Sequence, residues 1–221
     1  MKFDINNPAF LQSAGALVPQ SFIAIRTEQE DQAIFGITSD GAVRIKTIKD
    51  GKTKITSYPD GLNIDDVLFR LSNDANTDIF IYGKIIGISV SDDVDVTGVT
   101  SVQTKSCESL ISASMSGCEN LIDLDFSSNI YIDYLSIGNI PNLVSLNISN
   151  CLELEYLDLQ GCTSLTNIVA VGMNEYTAGI LEQHMTDLGR DGITGTIVLR
   201  QGETYGLEQV ADNAGWTVIY Q

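Results

Sequence analysis

Histidine is nearly absent from this chain: one residue, His184, among 221. No cysteine or second histidine stands at metal-ligand spacing from it, so no metal site is expected. His184 lies in a helix-like stretch and reads as a packing residue. Long apolar runs are also lacking. None reaches the roughly 18 residues of a membrane span, so no membrane partner is expected. The opening Met1-Lys2-Phe3-Asp4-Ile5-Asn6-Asn7-Pro8 has no apolar stretch, and Phe10 to Ala16 is too short and too polar for a secretory signal. The expectation is synthesis in the cytoplasm of the producing cell. Ser, Asp and Tyr are plentiful, but no nucleophile elbow, phosphate loop or second base accompanies them. Neither catalytic residues nor cofactors are expected, and the chain does not read as an enzyme. Asp92-Asp93-x-Asp95 could hold calcium, but it lacks the loop glycine and terminal Glu of an EF-hand and reads better as a solvated loop.

Positive charge is scarce beyond the first third. Residues 1–75 carry eight Lys/Arg and ten Asp/Glu, whereas residues 76–221 carry four and nineteen. The net charge of −17 excludes nucleic acid as an expected partner. The break in composition suggests parts with different surfaces. An acidic face also keeps an elongated protein soluble, whether or not it contacts a partner. Apolar residues make up 43% of the chain, enough for a substantial core.

What is present in abundance is a repeat. Val99-x-x-Val102-x-Thr104-x-x-Cys107 is followed by Leu110-x-x-Ala113-x-Met115-x-x-Cys118 and Leu121-x-x-Leu124-x-Phe126-x-x-Asn129. Then come Ile132-x-x-Leu135-x-Ile137-x-x-Ile140, Leu143-x-x-Leu146-x-Ile148-x-x-Cys151, Leu154-x-x-Leu157-x-Leu159-x-x-Cys162 and Leu165-x-x-Ile168-x-Ala170-x-x-Met173. The seven units keep one 11-residue period from Val99 to Met173 without a slip. The central pair of each unit is a short strand whose alternate side chains share one face. The residues three before and three after that pair turn inward at the corners. One such unit cannot close on itself. Leucine-rich repeats take roughly 20 to 29 residues per turn, so two units are expected to make one 22-residue turn with an extended segment on each side.

These residues resemble the leucine-rich-repeat family, in particular the bacterial form Gly-Cys-x-x-Leu-x-x-Leu-x-Leu-x-x-Cys, seen here from Gly117-Cys118 and Gly161-Cys162. The resemblance extends from Val99 to Met173 and is of the type common in gut Bacteroidetes and their phages. It implies a mainly β fold: a leucine-rich-repeat solenoid with 22-residue turns over residues 76–175. Asn129 and Ile140 depart from it where cysteine would stand. Ile79 to Val90 looks like a leading turn of the same kind, displaced by an insertion around Asp92 to Gly98. All four cysteines, Cys107, Cys118, Cys151 and Cys162, fall at one repeat phase. Those on the same side are two turns apart, roughly 9 to 10 Å at the strand spacing, beyond the approximately 7 Å reach of a disulfide. They read as small buried hydrophobes.

The flanks read differently. Residues 176–221 look like an α/β cap: a helix over Tyr176 to Leu188, a strand Thr196 to Leu199, a short helix Tyr205 to Ala214 and a last strand after Gly215. Residues 1–75 form a β-rich attachment region. Within it a β-meander is expected over residues 21–58, with Asp40-Gly41 and Asp50-Gly51 as hairpin turns, and Ile64 to Leu71 is a candidate helix. A part of about 60 residues is marginal alone, so it would lean on the repeats, a partner, or a copy of itself.

The functional expectation is a non-enzymatic structural or display protein of a larger assembly, chiefly a phage virion component made in the host cytoplasm. The alternative is a bacterial binding module, an adhesin or scaffold, in the cytoplasm or at the cell surface. Partners would be proteins, assembly neighbours or a host surface, with a homo-oligomer through the N-terminal region also open. Because positions two units apart should share a face, Tyr134 and Tyr156 should stack there, with Ser136 and Asp158 beside them. That row is the candidate contact surface. The plainer reading is that two tyrosines cover the flank of a β-ladder. The opposite face would offer Asp123, Asp125, Ser145 and Asn147.

Overall fold

The computed structural model describes residues 21–27, 32–60, 68–72, 77–90, 98–202 and 204–221. It is mainly β. The first strands are β1 (Phe22–Thr27), β2 (Gln32–Ser39), β3 (Val43–Lys49), β4 (Lys52–Tyr58), β5 (Leu68–Ser72), β6 (Thr77–Tyr82), β7 (Ile85–Val90) and β8 (Val99–Gln103). Six three-residue strands follow, one in each of the remaining six repeat units: β9 (Ser112–Ser114), β10 (Asp123–Asp125), β11 (Tyr134–Ser136), β12 (Ser145–Asn147), β13 (Tyr156–Asp158) and β14 (Asn167–Val169). The chain closes with α1 (Glu175–Arg190), β15 (Thr196–Leu199), α2 (Leu207–Asn213) and β16 (Thr217–Tyr220).

The short strands alternate between two ladders. One runs β9, β11, β13; the other runs β10, β12, β14 and continues through β15 and β16. Every pairing within these ladders is parallel, and from β9 to β14 it joins equivalent positions two units apart, as in Leu135↔Leu157 and Leu124↔Leu146. The middle residue of each strand is buried and its neighbours face out, which is strand alternation on a one-sided core. Ala113, Leu124, Leu135, Leu146, Leu157 and Ile168 therefore meet between the ladders. The corner residues Leu110, Leu121, Ile132, Leu143, Leu154 and Leu165 and the post-strand residues Met115, Phe126, Ile137, Ile148, Leu159 and Ala170 join the same core.

The cysteine phase is tied to backbone. All four cysteines are free and buried. Cys107 Sγ donates to the Ile85 carbonyl at 3.4 Å, Cys151 to Phe126 at 3.6 Å and Cys162 to Ile137 at 3.1 Å, each acceptor lying 22 to 25 residues earlier in the chain. Asn129 does the same work more strongly. It is fully buried, donates through Nδ2 to the carbonyls of Thr104 (3.2 Å) and Cys107 (2.7 Å), and accepts from Thr104 Oγ1 at 2.7 Å. Burial pushes the thiols of Cys151 and Cys162 up to about 12 and about 11.

The N-terminal strands are split between two sheets, in the orders β4-β3-β6-β1-β8 and β13-β11-β9-β7-β2-β5. The expected strands of residues 22–56 are present, but not as a meander. β3 and β4 form a hairpin closed by Asp50 and Gly51 with φ of 47° and 71° and the pair Lys49↔Lys52 outside them, the two-residue turn that suits strand twist. Asp40-Gly41 instead carries the chain from one sheet to the other. β2 pairs with β5 and β7, and β3 with β4 and β6. The helix expected over 64–71 is corrected for its described part. Leu68 to Ser72 is a strand on β2, with Phe35↔Phe69 in register. So short a segment fits either period, and the open edge of β2 decides; residues 61–67 lie outside the described residues. The leading turn expected at 79–90 is half corrected. β6 is antiparallel to β1 and β3, whereas β7 joins the ladder in parallel, Gly87↔Ser112 and Ile88↔Ala113. β7 is thus the joint, antiparallel to β2 on one side and parallel to β9 on the other, while β8 pairs with β1 and lies beside β10 without pairing to it.

At the far end α1 packs against β13 while the other ladder continues. A capping box starts α1: Asn174 Oδ1 accepts from the Thr177 N–H at 2.9 Å, and Thr177 Oγ1 accepts from the Asn174 N–H at 3.2 Å. Gly195 lets β15 approach β14, since a Cβ there would lie 2.2 Å from the Thr166 carbonyl oxygen. Trp216 is buried and donates Nε1–H to Ile193 O at 3.0 Å. The elements expected over residues 176–221 are all present.

Candidate contact surface

Outward residues of the β7-β9-β11-β13 ladder form two rows. One reads Gly87, Ser112, Tyr134, Tyr156 and the other Ser89, Ser114, Ser136, Asp158. Parallel strands in register repeat every 4.7–4.9 Å or so, roughly the stacking distance of aromatic rings. Tyr134 and Tyr156 accordingly stack with centroids 4.5 Å apart and planes 7° from parallel. They remain 41% and 44% exposed. Slight burial, then Asp158 and Tyr134 beside it, raise the Tyr156 phenol above its ordinary range. Hydrogen bonds tie the backbone beneath: the Ile111 carbonyl accepts from the N–H groups of Asp133 and Tyr134, and the Asp133 carbonyl from those of Glu155 and Tyr156.

The other two expected residues sit in register but are engaged within the protein. Ser136 Oγ lies 2.9 Å from Ser116 Oγ. Asp158 accepts from the Gln160 N–H at 3.0 Å, and its carboxylate fills the space over Gly138, where a Cβ would meet Oδ2 at 2.6 Å. Asp158 also borders a cleft of about 470 Å³ with Gln160, His184, Asp187 and Asp191. His184 is half-buried and bonds the Leu157 backbone; burial lowers its pKa, opposed by that bond and by Asp158 and Asp187. It packs on the end of the ladder rather than on a purely apolar face.

On the opposite ladder, Asp123, Ser145, Asn167 and Asp125, Asn147, Val169 form the outward rows. Asn167 Nδ2 donates to Ser145 Oγ at 2.8 Å. Asp125 pairs with Lys105 at 2.7 Å. Burial pushes its carboxyl up, but Lys105 and Ser127 outweigh that and hold it below the ordinary range. The Asp92–Asp95 loop lies outside the described residues; among those described, no cluster of three or more His, Cys, Asp or Glu is placed to hold a metal.

A second surface is not anticipated from the sequence. An open groove of about 760 Å³ runs where the N-terminal strands meet the ladder, lined by Ser39, Asp40, Lys84, Ile86, Ser109, Ile111, Tyr131, Asp133, Glu153 and Glu155. Its repeat half consists of two columns, Ser109-Tyr131-Glu153 and Ile111-Asp133-Glu155, each stepping by 22 residues. Those columns could be read from the repeat phase. The Asp40–Lys84 pair that closes the groove, at 2.5 Å, depends on the sheet crossover and could not.

Compared with known proteins, the chain matches no family model, no curated protein and no solved structure. No helix among the described residues is long and apolar enough to cross a membrane.

Proposed function

We propose that this chain is a non-enzymatic structural or display protein of a larger assembly, and more narrowly a phage virion component. In this reading residues 76–175 are a leucine-rich-repeat solenoid with 22-residue turns, residues 176–221 cap it and residues 1–75 attach it. The observation that carries the reading is the unbroken parallel register of both ladders, in which every strand from β9 to β14 pairs with the strand two units away. That register sets like residues in rows on a rigid acidic body. Stacked tyrosines on such a row give flat amphipathic contact area at little entropy cost, so Tyr134 and Tyr156 are the proposed contact, flanked by Ser136 and Asp158.

Mass spectrometry of purified virions against host cells tests the assembly reading. The chain is expected in the particle at structural copy number; its presence in host cells alone would replace this reading with the bacterial binding module. Tyr134→Ser combined with Tyr156→Ser tests the surface. Incorporation or partner capture should fall while circular dichroism stays unchanged, and undiminished association would remove the tyrosine row from the interface.

A further inference from the structure

The groove between the N-terminal strands and the ladder combines two features that rarely stand together without a partner. Its apolar lining is open to solvent: Ile111 is 40% and Tyr131 58% exposed, with Ile86 beside them. Its charge is one-sided. Lys84 is held by Asp40 at 2.5 Å, which leaves Asp133, Glu153 and Glu155 without a cation in the lining. Burial and the Glu155 carboxylate both raise the Asp133 carboxyl, as expected where like charges crowd.

The matching surface lies on the same chain. Lys52 and Lys54 stand close together on the β3–β4 hairpin. β4 is an outer strand of its sheet, and residues 52–57 are all exposed. Alternation puts Lys52 and Lys54 on one face of β4 and Ile55, 57% exposed, on the other. A strand entering edge-on therefore offers cations and an apolar side chain at once. The two-residue turn keeps the hairpin stiff. We propose that this groove receives the β3–β4 hairpin of a second copy of the chain, with Lys52 and Lys54 facing Asp133, Glu153 and Glu155 and Ile55 meeting Ile111 and Tyr131. The two surfaces are different, so the contact is heterologous and propagates into a ring or a filament. It goes beyond the display reading, since it holds in a virion or in a bacterium.

Sedimentation velocity of the full chain tests it. Association should grow with concentration up to about 0.1 mM, a range that reports weak contacts, and should weaken as salt is raised from about 0.05 to 0.5 M. Glu153→Lys with Glu155→Lys should abolish it, and so should Lys52→Glu with Lys54→Glu. All four side chains are exposed, so circular dichroism should not change. Mixing the two double variants should restore association, because each carries charges complementary to the other. A monomeric wild type would overturn the proposal and leave the lysines as guards of an open strand edge. Association that survives either double variant would place the contact elsewhere. Two monomeric variants that do not recover on mixing would rule out the hairpin as the occupant. A basic partner of another kind is then the reading of the groove. None of these outcomes bears on whether the chain is found in virions.

Discussion

The strands of the N-terminal sheets and those of the ladders are held by different logic. In the ladders each short strand from β9 to β14 pairs with the next but one along the chain, and its one inward side chain is buried. In the N-terminal sheets the strands are longer and pair antiparallel, some with partners far along the chain, as Ile25↔Val102 shows. The ladders are repetitive, and on the proposed solenoid reading each turn depends on its neighbours. The antiparallel part is assembled from distant pieces, and its β3–β4 hairpin is its most local element. Damage should therefore travel along the ladders and stay confined in the hairpin.

Leu146→Ala is the largest way to break that contrast. Leu146 is fully buried in β12, and the loss should be about 2–5 kcal/mol from transfer and cavity together. Denaturant melts give the magnitude, and hydrogen exchange gives the reach. Protection should fall in β10 and β14 as well as β12, and remain in β3 and β4. Protection lost only within β12 would mean that the turns are held independently.

Asn129→Ala comes next. It removes the bonds of Asn129 to the Thr104 hydroxyl and to the carbonyls of Thr104 and Cys107. Each of these keeps one other partner, Asp125 O, Cys107 N–H and Leu110 N–H respectively, so the loss should be about 1–3 kcal/mol, at roughly 0.5–1.5 per bond. Asn129→Cys should recover part of that loss, because the thiols at the same phase already donate to carbonyls of the preceding turn. Equal melts for the two variants would show that the cysteine phase is chosen for size alone.

The smallest effect sits at the joint of the two regions, where Lys105 follows β8 and Asp125 closes β10. Lys105→Met should cost on the order of 0.2–1 kcal/mol at pH 7, as for a part-exposed pair. The sign of its pH dependence follows from the depressed folded-state pKa of Asp125. The unfolded carboxyl binds its proton first as pH falls, so the stabilisation is full above the ordinary carboxylate pKa and lost as pH drops through the folded value. Wild type and variant should converge once the pH has fallen through that folded value. A gap that persists there would assign the effect to packing of the lysine stem.

The repeat phase alone determined which side chains of residues 99–173 point inward, where the short strands fall, and that Tyr134 would stand beside Tyr156. Those facts follow from alternation within a strand and from one register repeated at every turn, both of which are local. The free state of the cysteines was legible for the same reason. Only the tertiary structure decided how residues 22–58 divide between two sheets, that Leu68 to Ser72 is a strand, and that Ser136 and Asp158 turn their polar atoms to their own chain. It alone brought Asp40 and Lys84 to the end of an acidic column. Pairing between strands is non-local, and a short apolar run fits several partners and either period. The choice is made by which open edge and which buried face remain when the rest of the chain has packed.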